Sequence, residues 1–114
     1  MIRAGDVQVW LATAPVDLRK SFDSLAEHVR AFLGHDPLGG SLFIFRNRSG
    51  QRVKVLWFDQ RGGEAAAGLV IYYKRLEKGT FRFPASDRNS VAISSAQLLR
   101  LLDGMEVQVP QKQS

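Results

Sequence analysis

Apolar and polar residues change their repeat several times along this chain, and each change marks a predicted element. Val7, Val9 and Leu11 alternate with Gln8, Trp10 and Ala12, the period of two that a strand imposes, and Ala14-Pro15 closes the run. Phe22, Leu25, Ala26, Val29, Phe32 and Leu33 then recur at helical spacing and form one stripe. Ser21 is placed to cap that helix, and Asp23 lies in its first turn, where the helix dipole favours an anion. Gly34 offers the stop. His35-Asp36-Pro37-Leu38-Gly39-Gly40 reads as a turn-rich connection, because proline cannot extend a helix and paired glycines punctuate the backbone.

The middle of the chain has the pattern of a β-meander. Leu42 to Asn47 and Arg52 to Phe58 are predicted strands around Arg48-Ser49-Gly50. Two registers compete. A two-residue Ser49-Gly50 turn would set Arg46 opposite Val53 and Phe45 opposite Lys54, mixing charge with core on both faces. A three-residue loop with Gly50 left-handed pairs Arg46 with Arg52, Phe45 with Val53 and Ile44 with Lys54. That second register is preferred, since it gathers Phe43, Phe45, Val53, Val55 and Trp57 on a buried face and Arg46, Arg52 and Lys54 on the other. Two arginines set opposite each other repel, a cost that a bound anion would offset.

Asp59 to Gly68 has the composition of a flexible loop. Leu69 to Tyr73 resumes a strand, Glu77-Lys78-Gly79 turns it, and Thr80 to Phe83 returns before Pro84. After the polar loop Ala85 to Ser90, Val91 to Ile93 is a short strand. Ser94 or Ser95 caps a last helix carrying Leu98, Leu99, Leu101 and Leu102, which stops near Gly104. Val107 and Val109 fit an edge strand. The expected fold is a single α+β domain over residues 1–109. It has a mostly antiparallel meander sheet, packed by one long N-terminal helix and one short C-terminal helix, and a polar tail at 110–114.

Composition fits one soluble domain: 114 residues, 45% hydrophobic and 24% charged. No apolar run approaches the roughly 18 residues of a membrane span, Met1 to Asp6 lacks the apolar stretch of a signal peptide, and cysteine is absent. These features point to a reducing cytoplasm. The charge is less ordinary, at +5 overall. Residues 46–88 hold ten basic groups against four acidic ones, while 1–45 hold four against five and 89–114 two against two. Such a concentrated surplus attracts polyanions, of which nucleic acid is the commonest in a cytosol.

Catalytic constellations are missing. A metal-dependent nuclease needs carboxylates that converge on a divalent ion, whereas Asp17, Asp23, Asp59, Glu77 and Asp87 are scattered singly. His28 and His35 lack ligand spacing for zinc, and Gly62 to Gly68 lacks the Lys-Ser/Thr ending of a phosphate loop. The chain is therefore read as non-enzymatic, with no catalytic residue, metal or cofactor. Two basic clusters remain as candidate nucleic-acid contacts: Arg46, Arg48, Arg52 and Lys54 at the first hairpin, and Lys74, Arg75, Lys78 and Arg82 at the second turn. Tyr72, Tyr73 and Phe81 are interleaved with the second cluster. Cations beside aromatics suit phosphate contact with base stacking, although the same alternation arises when aromatics are core and the cations are solvated.

Four stretches taken together carry a resemblance. They are Val9-Trp10-Leu11-Ala12-Thr13 with Pro15-Val16-Asp17-Leu18-Arg19-Lys20-Ser21-Phe22-Asp23-Ser24-Leu25; His35-Asp36-Pro37-Leu38-Gly39-Gly40 with Leu42-Phe43-Ile44-Phe45-Arg46-Asn47-Arg48; Val53-Lys54-Val55-Leu56-Trp57-Phe58-Asp59; and Tyr73-Lys74-Arg75-Leu76-Glu77-Lys78-Gly79-Thr80-Phe81-Arg82-Phe83-Pro84. This pattern resembles the TnpB-type (Orf-two) accessory protein of the insertion-sequence-66 family of bacterial transposons, over nearly the whole chain. The resemblance implies a cytoplasmic bacterial protein that supports DNA transposition beside a separate transposase, with DNA and that transposase as partners. It supplies no catalytic residues. It marks Asp17, Arg19, Lys20, Trp57, Asp59 and Gly79 as motif positions without an assigned role, alongside Leu76 and, in the basic clusters, Arg46, Lys54, Lys74 and Arg75. Gly62 to Gly68 looks longer than the family's usual turn. A protein–protein adaptor of the transposase complex, using Trp10 or the C-terminal helix and touching no nucleic acid, is the alternative, and an RNA-binding module remains open.

Overall fold

The computed structural model describes residues 7–103. They form a small compact α+β domain built on a five-stranded mixed sheet. Strand β1 (Val9–Ala12) leads to helix α1 (Phe22–His28), which continues as a π-helical turn over Val29–Leu33, so the helix spans 12 residues in all. Then come β2 (Leu42–Arg46), β3 (Arg52–Asp59), a single helical turn α2 (Gly63–Ala66), β4 (Gly68–Arg75), β5 (Ser90–Ile93) and α3 (Ser95–Leu102). The sheet order is β4-β3-β2-β1-β5. The meander β2-β3-β4 is antiparallel, as expected, but β1 and β2 are parallel. Parallel neighbours need a crossover, and α1 supplies it.

The first helix begins and ends at the expected caps. The Ser21 amide donates to Ser24 Oγ at 2.9 Å, and Gly34 takes φ +73° at the C-terminus, where its N–H donates to the Val29 carbonyl. Within those caps it is not the long regular helix expected: it spans 12 residues, and its second half is π-helical. The wider turn alters the phase of the apolar stripe. Leu25 and Val29 are buried and Leu33 is half-buried, while Phe22 and Phe32 stand exposed, Phe32 stacking on His28 at 5.0 Å. Helix α3 is capped by Ser94: its Oγ accepts from the Gln97 amide at 3.0 Å, and its own amide donates to Gln97 Oε1 at 2.7 Å.

The hairpin β2-β3 adopts the other of the two registers, not the preferred one. Arg46 pairs with Val53, Phe45 with Lys54, Ile44 with Val55 and Phe43 with Leu56. The loop is four residues, 48–51, closed by Asn47 N–H to Arg52 O at 3.2 Å and by Arg52 N–H to Asn47 Oδ1 at 3.0 Å. A sheet with one polar face would disfavour this pairing, yet the sheet is covered on both sides. Under α1 lie Ala12, Phe43, Phe45 and Leu56 with Val16, Leu18, Leu25 and Val29. The opposite face gathers Val9, Leu11, Leu42, Ile44, Val53, Val55 and Ile93 beneath Leu98, Leu101 and Phe81. Two buried faces accept apolar residues at every position, so alternation alone does not choose between the registers.

Three further expectations change. Thr80 to Phe83 is not a strand: the chain from 76 to 89 folds over the α3 face and seats Phe81 in the core, with Phe83 beside it. Phe81 and Phe83 alternate because this segment packs on a sheet, not because it joins one. Gly62 to Gly68 is not an open loop: α2 lies within it, and Gly68 already pairs with Asp59. The edge strand expected at Val107 and Val109 and the tail at 110–114 fall outside the described residues. Among the described residues no helix is long and apolar enough to cross a membrane.

Candidate nucleic-acid interface

Strand direction decides where the charges meet. β1 and β2 run one way and β3 and β5 the other, while β4 is parallel to β2, so Ala12, Arg46, Arg52, Arg75 and Ser90 all lie at one end of the sheet. The connections 13–21, 47–51 and 76–89 emerge there. With the adjoining strand ends they carry Arg19, Lys20, Arg46, Arg48, Arg52, Arg75, Lys78, Arg82 and Arg88 against Asp17, Glu77 and Asp87. Among the described residues of the connections at the opposite end, Arg61 is outnumbered by Asp36, Asp59 and Glu64. The charge surplus of the middle segment is thus a polarity of the fold.

Main-chain bonds hold the basic connections together. Val16 N–H donates to Arg46 O at 2.8 Å, tying the first connection to the end of β2. Leu76 N–H donates to Gln51 O at 2.9 Å, and Phe81 N–H to Gly50 O at 2.7 Å, so the hairpin turn and the 76–81 segment form one unit. Gln51 Nε2 adds a bond to Leu76 O at 3.3 Å. Gly50 is buried at φ +75°, and a Cβ there would meet Thr80 Cβ at 3.3 Å and Phe81 O at 3.4 Å. Beside the turn, Pro15, Val16, Asp17 and Leu18 face Asn47, Arg48 and Ser49 across a groove of about 470 Å³.

The eight basic candidates divide sharply. Lys54 is only 7% exposed: its Nζ donates to Lys20 O at 2.7 Å and lies 4.8 Å from the centre of the Tyr73 ring. The Arg46 guanidinium donates to Thr13 O at 3.1 Å and sits 5.5 Å over Phe83, while its buried Nε has no hydrogen-bond partner among the described residues. Lys74 Nζ donates to Leu102 O at 2.7 Å, fastening the end of α3 to β4. These three cations serve internal contacts. Arg48, Lys78 and Arg82 are exposed and make no side-chain hydrogen bond or ion pair among the described residues. Arg52 and Arg75 are exposed cross-strand partners. The like-charged pair expected between Arg46 and Arg52 therefore forms between Arg52 and Arg75, one from each cluster. Arg52 Nη1 donates to Tyr73 Oη at 3.0 Å, and Arg75 reaches Glu77 at 3.4 Å. Tyr73, one of the aromatics interleaved with the second cluster, thus meets Arg52 and Lys54 of the first, a contact that their separation in sequence hides.

The motif positions separate in the same way. Asp17 accepts from the Arg19 backbone at 3.0 Å and from its guanidinium at 2.8 and 3.1 Å. Asp59 repeats the arrangement with Arg61, at 3.0 Å from the backbone and 2.7–3.1 Å from the guanidinium. Side-chain and backbone hydrogen bonds from these arginines hold both carboxyls down to about 2. Each acid is thereby spoken for at opposite ends of the sheet, and the described residues hold no group of three or more potential metal ligands. Trp57 is half-buried against the core beneath α3, and Gly79 turns the chain at φ +76°.

Known proteins are similar to this sequence along most of its length. "Uncharacterized protein y4hO" of Sinorhizobium fredii strain NGR234 is 42% identical over 107 residues, covering 94% of this chain and 88% of its own. "Uncharacterized protein y4jC" of the same strain is 28% identical over 100 residues, covering 88% and 80%. No solved structure matches. The family model described as IS66 Orf2 like protein matches residues 7–112, a span that contains the parallel β1-β2 pair, the meander and all three basic connections. The chain belongs to the IS66 Orf2-like family of insertion-sequence proteins.

Proposed function

We propose that this protein is a non-catalytic accessory factor for transposition of an insertion-sequence element, and that it binds nucleic acid through the basic end of its sheet. Family membership supports the accessory role. The observation that carries the binding is the convergence of three connections at one end, where nine cations face three carboxylates. Arg48, Arg52, Arg75, Lys78 and Arg82 are the contacts, because their side chains are exposed. Arg46, Lys54 and Lys74 build the surface from beneath. Exposed cations such as Arg48, Lys78 and Arg82, which no side-chain partner among the described residues fixes, neutralise phosphates and carry little sequence information. The transposase is the second partner, for which the groove beside Arg48 offers a docking place.

Counterion release makes such binding steeply salt-dependent, with a slope near −0.9 per phosphate neutralised on a log–log plot. A gel-shift titration on the element's terminal repeats over a salt series tests it. The joint replacement of Arg48, Lys78 and Arg82 by alanine should weaken binding and flatten the slope by about 0.9 for each phosphate no longer neutralised. No binding at low salt, or an unchanged slope in the triple variant, defeats the proposal.

A further inference from the structure

Tyr73 is built as a stacking platform, and we infer that the strand it takes is single-stranded. The inference rests on the nucleic-acid reading above and adds the class of ligand. Tyr73 is the direct cross-strand partner of Lys54 on the α1 side of the sheet. The Lys54 ammonium, itself 7% exposed, approaches the ring to 4.8 Å from its centre, and Arg52 holds the phenol oxygen at 3.0 Å. A buried cation thus occupies one side of the ring and an arginine its tip, yet the residue remains 49% exposed. This placement costs the ring little conformational entropy on binding, since it is already fixed.

The electrostatics favour a nucleobase. An ammonium on one side of an aromatic ring draws on the negative quadrupole of its π-system, which lessens repulsion toward an electron-rich base stacked on the other. Arg52 and Arg75, exposed beside Tyr73, are placed for the flanking phosphates. A base can reach a protein ring only when it leaves its own stack, so this constellation selects single strands, where every base offers a free face. In a duplex the bases stay stacked on one another and only the phosphates remain accessible to it. Tyr72 provides an internal comparison: it is 40% exposed and adjacent in sequence, but successive side chains of a strand point to opposite faces.

Fluorescence anisotropy with a labelled oligothymidine and with a mixed-sequence duplex of equal length, at low salt, reads the preference. The wild type should bind the single strand more tightly. Tyr73→Ala should weaken single-strand binding roughly 5- to 150-fold, the range for loss of one base–aromatic stack, and change duplex binding little. Tyr73→Phe should retain most of the affinity, and Tyr72→Ala should match the wild type. Because Tyr73→Ala uncovers Lys54, Tyr73→Trp provides a second readout: its added indole fluorescence should be quenched by the single strand and not by the duplex. Equal or tighter duplex binding overturns the inference and leaves the nucleic-acid reading standing. Binding of neither probe overturns both. Equal losses in Tyr73→Phe and Tyr73→Ala, or a Tyr73→Ala variant that loses nuclease-resistant capture of the transposase while keeping oligothymidine, overturn stacking as the role of this ring.

Discussion

Replacing Gly50 with alanine tests whether the two basic turns are one unit. At φ +75° an L-residue costs about 1–2 kcal/mol. The new Cβ would also press on Thr80 Cβ at 3.3 Å and on the Phe81 carbonyl at 3.4 Å, beside the 2.7 Å bond from Phe81 N–H to Gly50 O. Loosening that bond adds about 1 kcal/mol, for a total of about 2–3 kcal/mol. Gly79 supplies the matched control, since it has nearly the same φ, +76°, and nothing within 4 Å of a built Cβ. Gly79→Ala should therefore show the backbone cost alone. For a domain of this size, 1 kcal/mol moves the melting temperature by roughly 4 °C, so calorimetry should place Gly50→Ala about that far below Gly79→Ala. Equal melting temperatures for the two variants would refute the claim that contact between the turns contributes to stability.

Three other outcomes follow from the same structure. Lys74→Met should lower stability by about 1–3 kcal/mol in urea denaturation, through loss of the charged bond to Leu102 O, while leaving the salt slope of nucleic-acid binding unchanged. Asp17 and Asp59, both lowered from 3.8 to about 2, contribute stability that is complete above 3.8 and is lost as the pH falls toward 2; Asp17→Asn and Asp59→Asn should each flatten the acid limb of the stability profile. Burial first, and then Lys20, hold His28 below 6.5, so stability should decline as the pH drops beneath 6.5. His28→Gln should remove that decline, and the imidazole ring protons should titrate below the ordinary histidine range.

Local chemistry is the legible part of this fold. Ser21 and Gly34 bound the first helix and Ser94 starts the last, because a cap depends on residues within one turn of itself. The hairpin register is not legible, since choosing it requires knowing that 76–89 folds back to cover the second face of the sheet. The parallel partnership of β1 and β2 is likewise a tertiary fact, hidden behind a helix that reads the same in either topology. At the site, charge counting locates both clusters, and strand direction explains why they meet. It does not sort exposed Arg48, Lys78 and Arg82 from Arg46, Lys54 and Lys74, whose partners Thr13, Lys20 and Leu102 lie 33, 34 and 28 residues away.

The place of β1 inside the sheet bears on how the protein is made. Its neighbours are β2, close in sequence, and β5, which begins only at Ser90. During synthesis the first strand can dock on β2 early, but its other edge waits roughly 80 residues for a partner, on the order of 4 to 16 s at typical elongation rates. Once β2 has emerged and until β5 follows, Val9 and Leu11 belong to an open, apolar sheet edge on the ribosome. A nascent chain arrested before Ser90 should consequently attract chaperones or self-associate, and release once β5 has emerged.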